Sequence, residues 1–299
     1  MLLEKGYAVK TTVRNPDDME KNSHLKDLQA LGPLEILRAD LDQEGSFDGA
    51  VAGCDYAFLV AAPVNLYAEN PEMRSCVRAG TVRRVVLTSS AAAVSSRPLQ
   101  GDGHVLDEES WSDVEFLRSR KNGTWVAYPV SKVLLEKAAR AFALEHGLSL
   151  VTVCPVVTVG AAPAAKVNTS VPDILSLLSG DDAYAGALEH IERATGSIPM
   201  VHIDDVCRAE IFVAEEEAAS GRYIVCGLNP TVVEIARFLA AKYPQYKVNT
   251  DRFRDFPEKP RVCISSAKLV KEGFEYKYNN LDGIYGSVVE YGRALGILP

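Results

Sequence analysis

The sequence has 299 residues, of which 47% are hydrophobic and 24% charged, so it can bury the core of one large domain or of one domain with a small appended lobe. The formal net charge of −8 and the lack of a Lys/Arg-rich block argue against a nucleic-acid partner, because such binding needs clustered positive charge. No apolar run approaches membrane-spanning length, and the first residues lack the basic-then-apolar order of a signal peptide. We therefore expect a cytoplasmic protein without a membrane span that binds small molecules.

The cysteines are scattered and form no C-x-x-C pair, and most of them lie inside apolar runs. This pattern favours reduced core thiols over a disulfide framework, as is usual in the cytosol. The six positions are Cys54, Cys76, Cys154, Cys207, Cys226 and Cys263.

Short β-rich runs alternate with helical patterns over the first half of the chain. The predicted strands are Tyr7–Val13, Leu34–Ala39, Tyr56–Ala61, Val82–Ser89 and Ser149–Cys154. The predicted helices are Asp18–Leu31, Ser46–Ala52, Glu72–Ala79 and Tyr128–His146. Strands of about six residues with little polar alternation are typical of a parallel sheet that is covered on both faces. The fold class is therefore a doubly wound, Rossmann-like α/β fold.

The pattern changes after Pro155. The stretch from Gly160 to Gly196 is rich in Ala, Ser, Pro and Gly and contains one predicted helix, Val171–Leu178. The later predictions are helices at Asp204–Ala218, Thr231–Tyr243, Ala267–Glu272 and Leu281–Leu295, and a strand at Arg222–Cys226. We expect a dinucleotide-binding region at 1–159 and a smaller, mainly substrate-binding lobe at 160–299, with some elements returning to the main domain.

Tyr128 and Lys132 are four residues apart, so in a helix they share one face. An ammonium beside a phenol favours the phenolate, which lets the phenol exchange a proton with a substrate oxygen during hydride transfer. Ser90 follows a predicted parallel strand, where ligands bind in such sheets, and could hydrogen-bond the same oxygen. Tyr-x-x-x-Lys alone is a weak signal, because Tyr243 and Lys247 repeat it; an exposed helix pair is the alternative. The Ser90/Tyr128/Lys132 combination favours a catalytic triad.

Other residues after predicted strands suit a nucleotide cofactor. Arg14 and Lys21 could meet an adenosine 2′-phosphate, although a solvated arginine is the plain alternative. Further candidate cofactor contacts follow later strands, together with Tyr128 and Lys132 themselves: they are Asp40, Leu41, Val60, Ala61, Ala62, Pro63 and Pro155.

Two further motifs contain residue types that can bind metal or phosphate, but their sequence contexts favour a structural role. His202-Ile203-Asp204-Asp205 lacks a second ligand cluster, so Asp204 or Asp205 is predicted to cap a helix rather than to bind metal. The Gly101-x-Gly103 pair does not lie between a strand and a helix and is predicted to form a turn.

These segments together resemble the plant flavonoid-reductase branch of the extended short-chain dehydrogenase/reductases. The resemblance covers essentially the entire chain and is carried by segments starting at Thr11, Arg38, Leu87, Tyr128, Asp204 and Ser220. Ala91–Val94, Tyr243–Lys247 and Ile264–Phe274 are more similar to the enzymes that reduce anthocyanidins than to those that reduce dihydroflavonols.

The resemblance implies NADPH-dependent reduction of an anthocyanidin to a 2,3-cis-flavan-3-ol, with a flavonoid as the small-molecule substrate. It also implies that Arg14 and Lys21 hold the 2′-phosphate, that Val60 to Pro63 line the cofactor, and that Ser90, Tyr128 and Lys132 form the triad. Members of that branch have a strand and a glycine-rich loop before the helix whose end resembles Leu2–Gly6, and a longer crossover ahead of Met73. We therefore expect an N-terminally truncated nucleotide-binding region. The alternatives are a dihydroflavonol 4-reductase-type ketone reductase and a catalytically inactive relative that acts as a binding partner.

Overall fold

A computed structural model describes residues 1–60, 71–120, 123–163 and 170–299, and for 123–125 only the backbone. In these ranges the strands are β1 (Val9–Val13), β2 (Leu34–Arg38), β3 (Tyr56–Leu59), β4 (Arg84–Thr88), β5 (His104–Leu106), β6 (Leu150–Pro155), β7 (Val157–Val159), β8 (Met200–His202), β9 (Gly221–Val225) and β10 (Val262–Ile264). The α-helices are α1 (Met19–Leu28), α2 (Asp48–Val51), α3 (Pro71–Ala79), α4 (Ala92–Ser95), α5 (Val114–Ser119), α6 (Gly123–His146), α7 (Ser170–Ser179), α8 (Asp182–Thr195), α9 (Ile203–Glu215), α10 (Val232–Lys242), α11 (Ala267–Lys271) and α12 (Leu281–Ala294).

The central sheet is parallel and has the strand order β3-β4-β6-β9. Side chains alternate across β4, so that Val86 packs in the cluster that contains α9, while Leu87 packs against α3 and α6. Helices therefore cover both faces of the sheet, and the doubly wound, Rossmann-like prediction is confirmed. The outer strand β9 comes from the region assigned to the C-terminal lobe, whose boundary at residue 160 stays a prediction.

β1 and β2 form a separate two-stranded parallel sheet. In the described part of the chain, no strand pairs with the second edge of β1 or with the outer edge of β3. Side chains connect this region to the elements beside the central sheet: the ring of Tyr7, before β1, contacts the ring of Tyr56 in β3 edge-on with the ring centres 6.5 Å apart, and Lys10 Nζ donates to the carbonyl of Ala52, after α2, at 2.7 Å. Ala39 is the first buried hydrophobic residue in the chain, and no residue of β1 or β2 is fully buried.

The second core lies among α7, α8, α10 and α12, where Ile174, Leu188, Ile235 and Val288 are fully buried. The expectation of a single helix between Gly160 and Gly196 is wrong, because α7 is followed by the longer helix α8. Asp181 caps α8 by accepting hydrogen bonds from the backbone N–H groups of Ala183 and Tyr184.

All six cysteines lie in the described part of the chain and are free. Burial raises the pKa of the Cys76 thiol to about 12, which keeps it protonated and unreactive at neutral pH. The described residues include no helix that combines the length and the apolar character needed to cross a membrane.

Candidate active site

The carboxyl end of β4 carries the predicted catalytic serine. Beyond Thr88 the chain continues alongside β6, because Ser89 N–H donates to the Val153 carbonyl at 2.7 Å and Ala91 N–H donates to the Pro155 carbonyl at 2.8 Å. Ser90 Oγ accepts a hydrogen bond from the backbone N–H of Ala92 at 3.1 Å, at the start of α4. Ser90 is thus placed at the sheet edge where parallel α/β folds bind ligands.

Helix α6 supplies Tyr128 and Lys132. It begins at Gly123 rather than at Tyr128 as expected, so Tyr128 lies in its second turn and Pro129 lies inside the helix. Tyr128 is 48% exposed, whereas Lys132 is only 8% exposed. Lys132 Nζ lies 5.7 Å from the centre of the Tyr128 ring and donates to the Thr88 carbonyl at 3.3 Å. The structure therefore brings Lys132 to the end of β4 beside the exposed phenol.

Two opposing effects act on the charge of Lys132. Burial disfavours the ammonium and lowers the pKa of Lys132, while the nearby Glu136 carboxylate opposes this and raises the same pKa. The buried thiol of Cys154, on β6, acts in the same direction as Glu136. The charge state of Lys132 is therefore coupled to Glu136.

Sequence analysis missed a buried cluster next to these residues. Glu136 Oε1 accepts from Ser89 Oγ at 2.5 Å, and Glu136 Oε2 accepts from Arg222 Nε at 2.7 Å. The spacing of Glu136, one turn after Lys132, is a signal that could have revealed it. Arg222 is 86 positions away in the sequence, and only the pairing of β6 with β9 brings it near.

The predicted 2′-phosphate residues lie at the end of β1. Arg14 and Lys21 line a cavity of about 180 Å³, together with Val13, Asn15, Asp18 and Asn22. Lys21 Nζ already pairs with Asp18 at 2.8 Å, and Asp18 also caps α1. Among the described residues Arg14 has no ion-pair partner, so its guanidinium is the freer of the two cations.

The remaining predicted cofactor contacts lie in different surroundings. Asp40 shapes the turn after β2, because its Oδ1 accepts from Asp42 N–H and its backbone carbonyl accepts from Ser46 Oγ. Leu41 is half-buried and Val60, directly after β3, is exposed. Pro155 ends β6 beside Ser90. Ala61, Ala62 and Pro63 lie outside the described residues.

Residues at two places would suit the two ends of a dinucleotide. Arg14 offers a cation in a concave pocket where Asp18 already pairs with Lys21, and Lys132 and Tyr128 lie at the carboxyl edge of the central sheet. Among the described residues, no strand-to-helix loop carries the closely spaced glycines that bind a pyrophosphate. Gly101 and Gly103 form a turn before β5, as predicted.

The His202 motif is structural, but the predicted cap is wrong. His202 itself caps α9, because its Nδ1 accepts the backbone N–H of Asp204 at 3.2 Å. Its ring stacks on Tyr278 at 3.7 Å. Asp205 is fully buried and accepts the backbone N–H groups of Lys277 and Tyr278. The described residues contain no cluster of His, Cys, Asp or Glu that could hold a metal.

A doubly wound parallel sheet with a tyrosine and a lysine one helical turn apart at its carboxyl edge is typical of nicotinamide-dependent oxidoreductases. The sequence profile of the NAD dependent epimerase/dehydratase family matches residues 1–227. This chain belongs to the NAD dependent epimerase/dehydratase family.

Individual relatives show which enzymes of the family this chain resembles. A Vitis vinifera anthocyanidin reductase ((2S)-flavan-3-ol-forming) is 49% identical over 312 residues, which cover 100% of this chain and 91% of the relative. A Zea mays dihydroflavonol 4-reductase is 38% identical and covers 100% and 85%. The crystal structure of vestitone reductase from alfalfa (Medicago sativa L.) is 33% identical, covers 99% of this chain and 94% of that one, and superposes with a TM-score of 0.84. The predicted resemblance is confirmed, and the dihydroflavonol-reducing relatives are the more distant ones.

Proposed function

We propose that this chain is an NADPH-dependent oxidoreductase that reduces anthocyanidins to 2,3-cis-flavan-3-ols. The 49% identity to a protein named anthocyanidin reductase supports the substrate class. The observation that carries the chemistry is the placement of the buried Lys132 ammonium between the end of β4 and the exposed ring of Tyr128. We place this reaction in the cytoplasm and expect a flavonoid to be the ligand.

The residues of the chain would handle binding and the proton. Lys132 Nζ lies beside the Tyr128 ring, and the Tyr128 hydroxyl would exchange a proton with the substrate oxygen. Because Tyr128 is half-exposed, its hydroxyl can reach an oxygen of a bound substrate. The Ser90 hydroxyl, at the adjacent strand end, would orient that oxygen. When bound, the reduced nicotinamide supplies a hydride to the planar flavylium cation, and two such transfers from two NADPH molecules, with one proton, would give the flavan-3-ol.

The direct test is to incubate the purified protein with NADPH and cyanidin and to look for epicatechin by chiral chromatography. We expect product from the wild type and a loss of at least about 100-fold in Tyr128→Phe, because the proton-exchanging hydroxyl is removed. Lys132→Met, which removes the ammonium beside the Tyr128 ring, should also lose activity, and Lys137→Met on the same helix is its matched control. A folded protein that binds NADPH but forms no flavan-3-ol from any anthocyanidin would refute the proposal.

The cofactor preference has its own test. Arg14 has no ion pair in the described part of the chain and lines the pocket at the end of β1. We expect Arg14→Ala to weaken NADPH binding by about tenfold or more in calorimetry, since a charge-assisted contact to the 2′-phosphate is lost. Binding of NADH, which lacks that phosphate, should be unchanged. Equal losses for the two cofactors would refute the role of Arg14.

Ketone reduction on a dihydroflavonol is the second candidate, favoured by the 38% identity to the Zea mays relative over the full chain. Incubation with NADPH and dihydroquercetin would then yield a leucoanthocyanidin. If neither substrate reacts and calorimetry detects no NADPH binding, the chain is instead a catalytically inactive relative that acts as a binding partner.

A further inference from the structure

A buried ion pair lies next to the proposed catalytic residues. Glu136 is 2% exposed and Arg222 is 9% exposed, and they meet at 2.7 Å. The second carboxylate oxygen of Glu136 accepts from Ser89 Oγ, and the Cys154 thiol lies 3.7 Å from that oxygen. The pair therefore connects α6 with β4, β6 and β9 at the level of the site.

Arg222 is itself fixed in place. Its Nη1 donates to the carbonyls of Glu108 and Ser110, both at 2.8 Å, and its guanidinium lies 3.8 Å from the centre of the Trp111 ring. Its Nη2 is buried and has no partner among the described residues. The geometry holds the Glu136 carboxylate in one position, since the arginine that pairs with it cannot move freely.

Stability alone does not account for this pair. Removing two charges from water costs free energy that their attraction often fails to recover, so apolar residues of the same volume would serve a core as well. Glu136, however, lies on the same face of α6 as Tyr128 and Lys132, at successive four-residue steps. Its bond to Ser89 also fixes the strand end that carries Ser90.

We propose that Glu136 is a positioning residue, which fixes the end of β4 against α6 and keeps a negative charge beside the buried ammonium of Lys132. This inference rests on the function proposed above. The titratable and charged groups facing Lys132 are Tyr128 and Glu136 from α6 and Cys154 from β6, while β4 contributes the uncharged Thr88 carbonyl.

The first experiment measures Lys132 without any cofactor. Acetylation by an N-hydroxysuccinimide ester over a range of pH, read by mass spectrometry of the Lys132 peptide, gives the apparent pKa of this amine. We expect Glu136→Gln to lower it by about one unit, because an opposite charge is removed. Glu136→Asp, which keeps the charge, should remain close to wild type. The matched control is Glu210→Gln, which removes a half-buried carboxylate on α9 that accepts from Thr88 Oγ1 on the opposite face of the sheet; it should leave the Lys132 value unchanged.

The second experiment measures turnover. If the proposed function holds, Glu136→Gln should lower kcat by about tenfold or more with little change in KM, because the substrate does not touch Glu136. Should Glu136→Gln fail to fold with Arg222 unpaired, the double variant Glu136→Gln/Arg222→Gln is compared with Arg222→Gln alone, so that the two proteins differ only in the Glu136 charge. An unchanged apparent pKa of Lys132 on loss of the Glu136 charge would overturn the inference. An inactive wild type would count against the proposed function only, since the labelling experiment does not need activity.

Discussion

Glu192, in the last turn of α8, is a buried carboxylate whose ionisation should lower the stability of the protein. It is 2% exposed, and its Oε2 accepts the backbone N–H of Val232 at 2.5 Å, at the start of α10. Its Oε1 is buried and has no partner among the described residues. Burial raises the pKa of Glu192 from 4.5 to about 7.

The size of the effect follows from that shift. The folded state holds the Glu192 proton more tightly than the unfolded state, so the stability that Glu192 contributes is fully present below pH 4.5 and is lost as the pH rises towards 7. At about 1.4 kcal/mol per pKa unit, the loss reaches about 3 kcal/mol above pH 7. Glu192→Gln has nearly the same shape, can still accept from Val232 N–H, and cannot ionise. We therefore expect the variant to be more stable by about 3 kcal/mol at pH 8 and by less than about 1 kcal/mol at pH 5.

Urea unfolding followed by circular dichroism at several pH values measures this difference. Glu145→Gln is the matched control, because Glu145 is an exposed carboxylate on α6, and it should leave the unfolding free energy within about 0.5 kcal/mol of wild type at each pH. A stability gain in Glu192→Gln that is the same at pH 5 and pH 8 would contradict the reasoning, as would a loss at pH 8.

Three further predictions concern other regions. Backbone amides of β1 and β2 should exchange with deuterium much faster than those of β4, because neither strand contributes a fully buried residue; equal protection would contradict this. Burial lowers the pKa of His202, so the stability that this imidazole contributes is lost as the pH falls below about 6.5, and His202→Asn, which can still cap α9, should gain unfolding free energy relative to wild type between pH 7.5 and 5.5. Gly196→Ala should lower the unfolding free energy by about 1–3 kcal/mol, because Gly196 has φ +82° and the added Cβ would lie 2.9 Å from the Val262 backbone nitrogen; an unchanged melting temperature would refute this.

The strands of the central sheet could be predicted from the sequence, because runs such as that of β6 are apolar on both faces. The start of α6 could not, since Pro129 is well suited to the first turn of a helix and suggested a beginning at Tyr128. The sequence analysis does not predict helix α8, because the stretch from Gly160 to Gly196 is rich in Ala, Ser, Pro and Gly. Its cap at Asp181, its buried positions at Ala185 and Leu188 and its end at Gly196 are a helical pattern that a closer count would have found.

The candidate site, like the fold, could be predicted from the sequence only in part. Tyr128, Lys132 and Ser90 could be found because a short spacing and a strand end identify them locally. The pairing of Glu136 with Arg222 depends on the order of strands in the sheet, which no local pattern contains. The capping role of His202 was assigned to its neighbours because Asp is the commoner cap and a histidine ring nitrogen is an unusual one.

Among the described residues, one edge of β1 and one edge of β3 pair with no strand, and this has a consequence for how the chain behaves in concentrated solution. Each edge presents a row of backbone donors and acceptors, and a strand from another copy could satisfy that row as well as one from the same molecule. Pairing of the β1 edge of one copy with the β3 edge of the next has no symmetry that would stop it at a dimer, so the expected product is an open-ended assembly. The recombinant protein should therefore stay in solution more readily at low concentration. A short strand-forming peptide added in excess should reduce the loss of soluble protein.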